Sequence, residues 1–169
     1  MSTHSVVSEA LPPNVVLLVS ARAEDRDSLQ SIFRGTQWEL QVAWTASDGV
    51  KELRCHRCEL PVVICEDSLP DGDWKRLLAE VDQSAVRPSL IVCSRLADER
   101  LWAEVLNLGA FDLLLGAPFV PEEVLRVTQS AWLAFNRAAQ PRSIPRMGPE
   151  LARGITGSGA WALAAGSPI

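Results

Sequence analysis

The stretch Val62 to Trp74, Val-Val-Ile-Cys-Glu-Asp-Ser-Leu-Pro-Asp-Gly-Asp-Trp, constrains this chain more than any other. It opens with four apolar or small residues, three of them β-branched, the length of a strand buried on both faces. Two carboxylates, Glu66 and Asp67, follow at once, then a turn built on Pro70 and Gly72, then a helix from about Asp73. A strand with no polar face belongs to a parallel sheet covered on both sides, and in such sheets function collects where strands end and loops begin. Glu66 and Asp67 stand at such a point.

The rest of the sequence repeats this alternation. Val15 to Ser20 is another apolar run of strand length, and Ala23 to about Arg34 puts Leu29, Ile32 and Phe33 on one helical face behind an acidic first turn. Glu39 to Trp44 alternates as a strand near a sheet edge would, and Ser47 and Asp48 are placed to cap a helix running to about Arg57. After the central stretch come a strand at Leu90 to Cys93, a helix at Glu99 to Leu108 closed by Gly109, a strand at Asp112 to Leu115, and a last helix opened by Pro121. Val124, Thr128, Ala131, Trp132 and Phe135 make its apolar face.

Five strands alternating with five helices predict an α/β fold with a doubly wound, five-stranded parallel sheet. Right-handed crossovers leave the flavodoxin-like strand order 2-1-3-4-5 as the leading topology. Residues 14–137 form this domain, residues 1–13 a flexible leader, and residues 138–169 a tail too rich in Pro, Gly, Ser and Ala to build a core, expected to be disordered. Charge divides the same way, since the segment after Phe135 carries +3 and everything before it −8. A net charge of −5 argues against general affinity for nucleic acid, and no apolar run reaches the length of a membrane span. With no secretion signal, the expected location is cytoplasmic and the four cysteines are expected to be free thiols.

Leu69-Pro70-Asp71-Gly72, Gly109-Ala110-Phe111-Asp112 and Pro118-Phe119, in this order of elements, resemble the CheY-like receiver domain of bacterial two-component response regulators. The resemblance implies phosphoryl acceptance by an aspartate ending the third strand, Mg²⁺ held by that residue and two acidic residues after the first strand, and a hydroxyl and a lysine on the phosphoryl oxygens. A hard cation and a lysine neutralise charge on a transferring phosphoryl group. Carried over residue by residue, the acceptor position is Glu66, the acidic pair falls on Ser20 and Ala21, the hydroxyl is kept as Ser94, and the lysine is replaced by Ala117. The aromatic switch position falls on Leu113.

Two missing acids and a missing lysine leave too little charge for Mg²⁺ or a phosphoryl group, so the expectation is a degenerate receiver needing no cofactor, with Mg²⁺ only if the receiver chemistry survives. Glutamate adds one methylene, which carries its carboxylate about 1.5 Å further out than aspartate's. Glu66 therefore stands either as an imitation of the phosphorylated state or as a tolerated polar residue. Asp67 is the alternative acceptor, disfavoured because neighbouring strand residues point to opposite faces.

Cys55-His56-Arg57-Cys58 has zinc-like spacing but no second ligand pair nearby, so no metal is expected there. No catalytic set stands out, and the first strand-to-helix loop has no glycine to cradle a nucleotide phosphate, which leaves a small-ligand or nucleotide-binding protein as the lesser alternative. The expected activity is recognition of a protein partner, such as a histidine kinase or another signalling protein, or homodimerisation. The face made by the fourth helix, fifth strand and fifth helix would serve, carrying Trp102, Leu113 and Arg126 and flanked by Trp132.

Overall fold

A computed structural model describes residues 14–55, 60–116 and 118–139. The expected leader, nearly all of the expected tail, His56, Cys58 and Ala117 lie outside the described residues. In chain order the elements are β1 (Val15–Val19), α1 (Ala23–Phe33), β2 (Glu39–Ala43), α2 (Ala46–Cys55), β3 (Val62–Glu66), β4 (Ser68–Leu69), β5 (Gly72–Asp73), α3 (Trp74–Asp82), β6 (Ser89–Ser94), α4 (Glu99–Asn107), β7 (Asp112–Leu115) and α5 (Pro121–Ala139). Five strands form one sheet in the order β2-β1-β3-β6-β7, every neighbouring pair parallel. This is the flavodoxin-like order expected from the alternation; β4 and β5 are a two-residue hairpin lying outside it.

Strand alternation divides the core in two. Leu17, Val19, Val63, Cys65, Val92 and Leu113 pack with the helices α2, α3 and α4, while Leu18, Ile64, Ile91, Cys93 and Leu114 pack with α1 and α5. Apolar residues on both parities are what make β1, β3 and β6 read as unbroken runs. Gly49 of α2 lies so close to the sheet that an added Cβ would sit 2.8 Å from both Leu77 and Val19 side chains. Gly109 ends α4 with φ +95°, a left-handed conformation that suits a residue without Cβ.

Capping differs from expectation at α2. Ser47 and Asp48 lie inside its first turn, and Thr45 precedes it, accepting the Asp48 N–H at 3.1 Å while its hydroxyl donates to Asp48 Oδ2 at 2.8 Å. Asp71, in the turn between β4 and β5, completes the cap from a distance, accepting the N–H groups of Ala46 and Ser47 at 2.7 and 2.9 Å. A carboxylate at a helix N-terminus satisfies orphan donors and favours the dipole, and with the Ser47 hydroxyl it holds Asp71 down at a pKa of about 2. The Leu-Pro-Asp-Gly turn thereby fixes the entry of α2. Among the described residues no helix is long and apolar enough to cross a membrane.

Candidate functional site at the strand tips

The carboxyl ends of β1, β3 and β6 converge on one crevice lined by Arg22, Asp25, Glu66, Asp67, Ser94 and Arg95. Glu66 ends β3 and is only 3% exposed. Its side chain does not reach outward, as its added length suggested; it bends to the tip of β1. There Ser20 Oγ donates to Oε1 at 2.9 Å and the Ala21 N–H donates to Oε2 at 3.2 Å. The reason is local chemistry: the turn after β1 offers a hydroxyl and a free amide, and a buried carboxylate is stabilised by such donors. Ser20 in turn accepts the Arg22 N–H at 3.3 Å, and Arg22 Nε stands 3.8 Å from Glu66 Oε1.

Burial pushes the Glu66 carboxyl pKa up, and the neighbouring Asp25 side chain pushes the same way, outweighing the Ser20 and Ala21 hydrogen bonds and the Arg22 charge. Asp25, one of the two acids in the first turn of α1, is 3% exposed and faces this crevice. Its spacing of four residues from Leu29 places it on the buried stripe of α1, a signal present in the sequence. The cation that accompanies it is Arg95, which follows β6 and crosses to α1, donating from Nη2 to Asp25 Oδ1 at 2.7 Å and to Glu24 Oε2 at 2.8 Å. Nothing in the local sequence announces that partnership, since the residues are seventy positions apart.

Asp67 also lines the crevice. Strand parity separated it from Glu66, but β3 ends at Glu66, and beyond a strand's end alternation no longer fixes direction. Ser94 Oγ donates to Asp67 Oδ2 at 2.8 Å and accepts the Leu96 N–H at 3.2 Å. The structure therefore brings Glu66, Asp67, Ser20, Ala21 and Ser94 together; Ala117 lies outside the described residues.

These donors do not fit Mg²⁺. That cation needs near-octahedral oxygens at short distance and keeps several waters. Glu66 is buried with its oxygens hydrogen-bonded by Ser20 and Ala21, one Asp67 oxygen is held by Ser94 and one Asp25 oxygen by Arg95, and the adjoining cavity of about 270 Å³, lined by Arg22, Asp67, Ser94, Arg95 and Leu96, offers a cation one carboxylate beside two guanidinium groups. Among the described residues, no three His, Cys, Asp or Glu side chains cluster so as to hold a metal. The zinc-like Cys55–Cys58 pair lies partly outside the described residues.

The expected interaction residues separate. Trp102 on α4 is 53% exposed and Arg126 on α5 is exposed. Leu113 is instead buried in the core beneath α4, and Leu115, two residues on and so on the same face, is exposed because it is the last residue of the strand. Trp132 does not flank that face: it packs with the α1-side core, edge-on to Trp38 at 6.3 Å between ring centroids.

No family model matches the chain, and no curated protein matches it either. Solved structures do. The signal receiver domain of an HD domain-containing protein from Pseudomonas fluorescens Pf-5 is 24% identical, with a TM-score of 0.67 over 79% of this chain and 96% of that one. The CheX–CheY–BeF3–Mg²⁺ complex from Borrelia burgdorferi matches at 21% identity and TM-score 0.63, over 70% of this chain and 88% of that one. The beryllofluoride-activated NtrC4 receiver domain dimer matches at 20% identity and TM-score 0.65, over 72% and 98%. Strand order, helix placement and these likenesses agree, and the fold of this chain is that of a response regulator receiver domain.

Proposed function

We propose that this chain is a receiver-fold signalling protein that acts by contacting another protein, a histidine kinase or a further signalling component, and does not take up a phosphoryl group with Mg²⁺. The observation that carries this is Glu66. The side chain at the acceptor position is 3% exposed and both its oxygens are already bonded, one to the Ser20 hydroxyl and one to the Ala21 amide. Each oxygen keeps a further lone pair, but an attacking oxygen has to be reached by the phosphorus, with positive charge placed to neutralise the transferring group, and burial closes that approach. Here Arg95 is committed to Asp25 and Glu24, and the acidic pair that would hold the cation is replaced by Ser20 and Ala21.

A protein partner is favoured by the surface at the β7 edge of the sheet. Trp102, Leu106 and Leu115 are exposed on α4 and β7, with Arg126 and Leu133 on the exposed side of α5. Large apolar side chains rimmed by charge suit a protein interface. The B. burgdorferi neighbour is a complex of CheY with CheX, and the NtrC4 neighbour is a dimer, so receiver folds of this shape do meet proteins. The chain is proposed to carry out no catalysis of its own.

The test is labelling of the purified chain with acetyl phosphate and Mg²⁺, followed by intact mass. No added mass is expected. A stoichiometric, hydroxylamine-sensitive phosphoryl group would overturn the proposal, and its loss in Asp67→Asn but not Glu66→Gln would assign the acceptor to Asp67.

A further inference from the structure

We infer that the free edge of β2, with the groove between β2 and α1, binds an acidic peptide segment of another protein in extended form. The surface lies at the opposite edge of the sheet from β7 and stands independently of the proposal above.

Backbone direction comes first. The Glu39 N–H donates to the Asn14 carbonyl at 2.8 Å, and the Ala43 carbonyl accepts the Ser20 N–H at 3.0 Å. Glu39, Gln41 and Ala43 therefore aim their backbone groups at β1. Successive residues of a strand aim theirs to opposite sides, so Leu40 and Val42 direct N–H and C=O away from the sheet. Among the described residues no strand lies beyond β2. Natural sheets cover or charge such an edge unless something pairs with it.

Side chains of those same two residues line a groove. Leu40 packs with the α1-side core, so Val42, two residues on, points to the same face and is 39% exposed. Trp38 stands at one end of the row and Trp44, 58% exposed, at the other. Below Leu40 a recess of about 220 Å³ opens between Gln30, Phe33, Arg34, Trp38 and Leu40, room for one aliphatic or aromatic side chain.

Charge decides the partner. Arg26 and Gln30, four residues apart on α1, and Arg34, the residue that ends it, flank the row: Gln30 and Arg34 line the recess and Arg26 lies over Trp44. Arg34 has no ion pair or side-chain hydrogen bond among the described residues, and Arg26 has no carboxylate partner there; its guanidinium stacks on Trp44 at 3.7 Å and donates to the Ser20 carbonyl. Two guanidinium groups without carboxylates, on a chain of net charge −5, form a local site for negative charge. A strand laid on β2 would take backbone hydrogen bonds from Leu40 and Val42, place one apolar side chain in the recess, and set acidic side chains before Arg34 and Arg26. Backbone pairing supplies affinity in such strand addition, and alternate side chains supply specificity.

The test pans a library of random dodecamer peptides on the immobilised full chain and measures the recovered peptides by fluorescence polarisation and amide hydrogen exchange. Acidic residues alternating with Leu, Ile or Phe are expected. Arg34→Glu is expected to weaken binding at least about tenfold, a loss of roughly 1.4 kcal/mol. Val42→Pro, which removes an outward N–H that the fold does not use, is expected to weaken it similarly. In the complex the Leu40 and Val42 amides should exchange more slowly. Should Val42→Pro unfold the chain, Arg34→Glu and the exchange data decide. Neutral or basic peptides, undiminished binding to Arg34→Glu, or Leu40 and Val42 amides already protected in the free chain by its own residues or a second copy, would each overturn the inference.

Discussion

Replacing Glu66 by glutamine should make the protein more stable at pH 8 and leave it nearly unchanged at acid pH. The side chain is 3% exposed, and stripping water from a carboxylate costs several kcal/mol even after the surroundings relax. Against this stand two hydrogen bonds to a charged acceptor, from Ser20 and Ala21, each contributing about 1.5–3 kcal/mol against about 0.5–1.5 kcal/mol for a neutral one. Glutamine keeps the shape: its carbonyl can accept the Ala21 N–H and its amide can donate to the Ser20 hydroxyl. The change therefore removes the desolvation cost and gives up about 1–3 kcal/mol of charge assistance, leaving a net gain on the order of 1–2 kcal/mol. Arg22, half in solvent at 3.8 Å, alters that balance little.

The raised pKa of Glu66 fixes the direction with pH. A carboxyl whose folded-state pKa lies above its unfolded value stabilises the fold fully below the unfolded pKa, and that contribution is lost as pH rises through the folded value. Each unit of elevation corresponds to about 1.4 kcal/mol. Urea unfolding of wild type and Glu66→Gln at pH 3 and pH 8, followed by fluorescence of the buried Trp74 and Trp38, measures the difference while other titrating groups cancel. A variant that loses stability relative to wild type between pH 3 and pH 8 would refute the claim that burial outweighs the hydrogen bonds.

Asp71→Ala should lower the melting temperature, and because the Asp71 pKa is depressed to about 2, the difference from wild type should be full above pH 4 and fade as pH falls through 2; a scanning calorimetry series across that range checks it. Gly49→Ala sets overpacking of about 1–3 kcal/mol against a helix-propensity gain of about 1 kcal/mol, so denaturant titration should show a net loss near 1 kcal/mol, and a stabilised variant would contradict the close approach of α2 to Val19 and Leu77. Burial pushes the Cys65 and Cys93 thiols up in pKa, so at pH 8 a thiol reagent should leave both unmodified in the native protein while labelling exposed Cys55, as peptide mass mapping would show.

Periodicity alone was enough for the fold. Runs such as Val62–Cys65 and Leu90–Cys93 have no polar parity, and a strand without one has to be covered on both sides; right-handed connections then leave little choice of strand order. The α2 cap escaped, because Asp71 reaches Ala46 and Ser47 from another turn. Leu113 and Trp132 were misplaced for a related reason: which way an edge strand turns its leucines, and which helix a tryptophan meets, depends on packing across the sheet.

By itself the sequence determined the doubly wound parallel scaffold and the absence of acids at Ser20 and Ala21, since both are local: one is a pattern of apolar spacing, the other a matter of which residue occupies a position. Only the tertiary structure decided where the Glu66 carboxylate goes, that Asp25 lies buried beside it, and that Arg95 crosses from the β6 end to meet Asp25. A buried charge is satisfied by whatever donors and cations the fold brings within about 3 Å, and those partners come from strands and helices far apart along the chain.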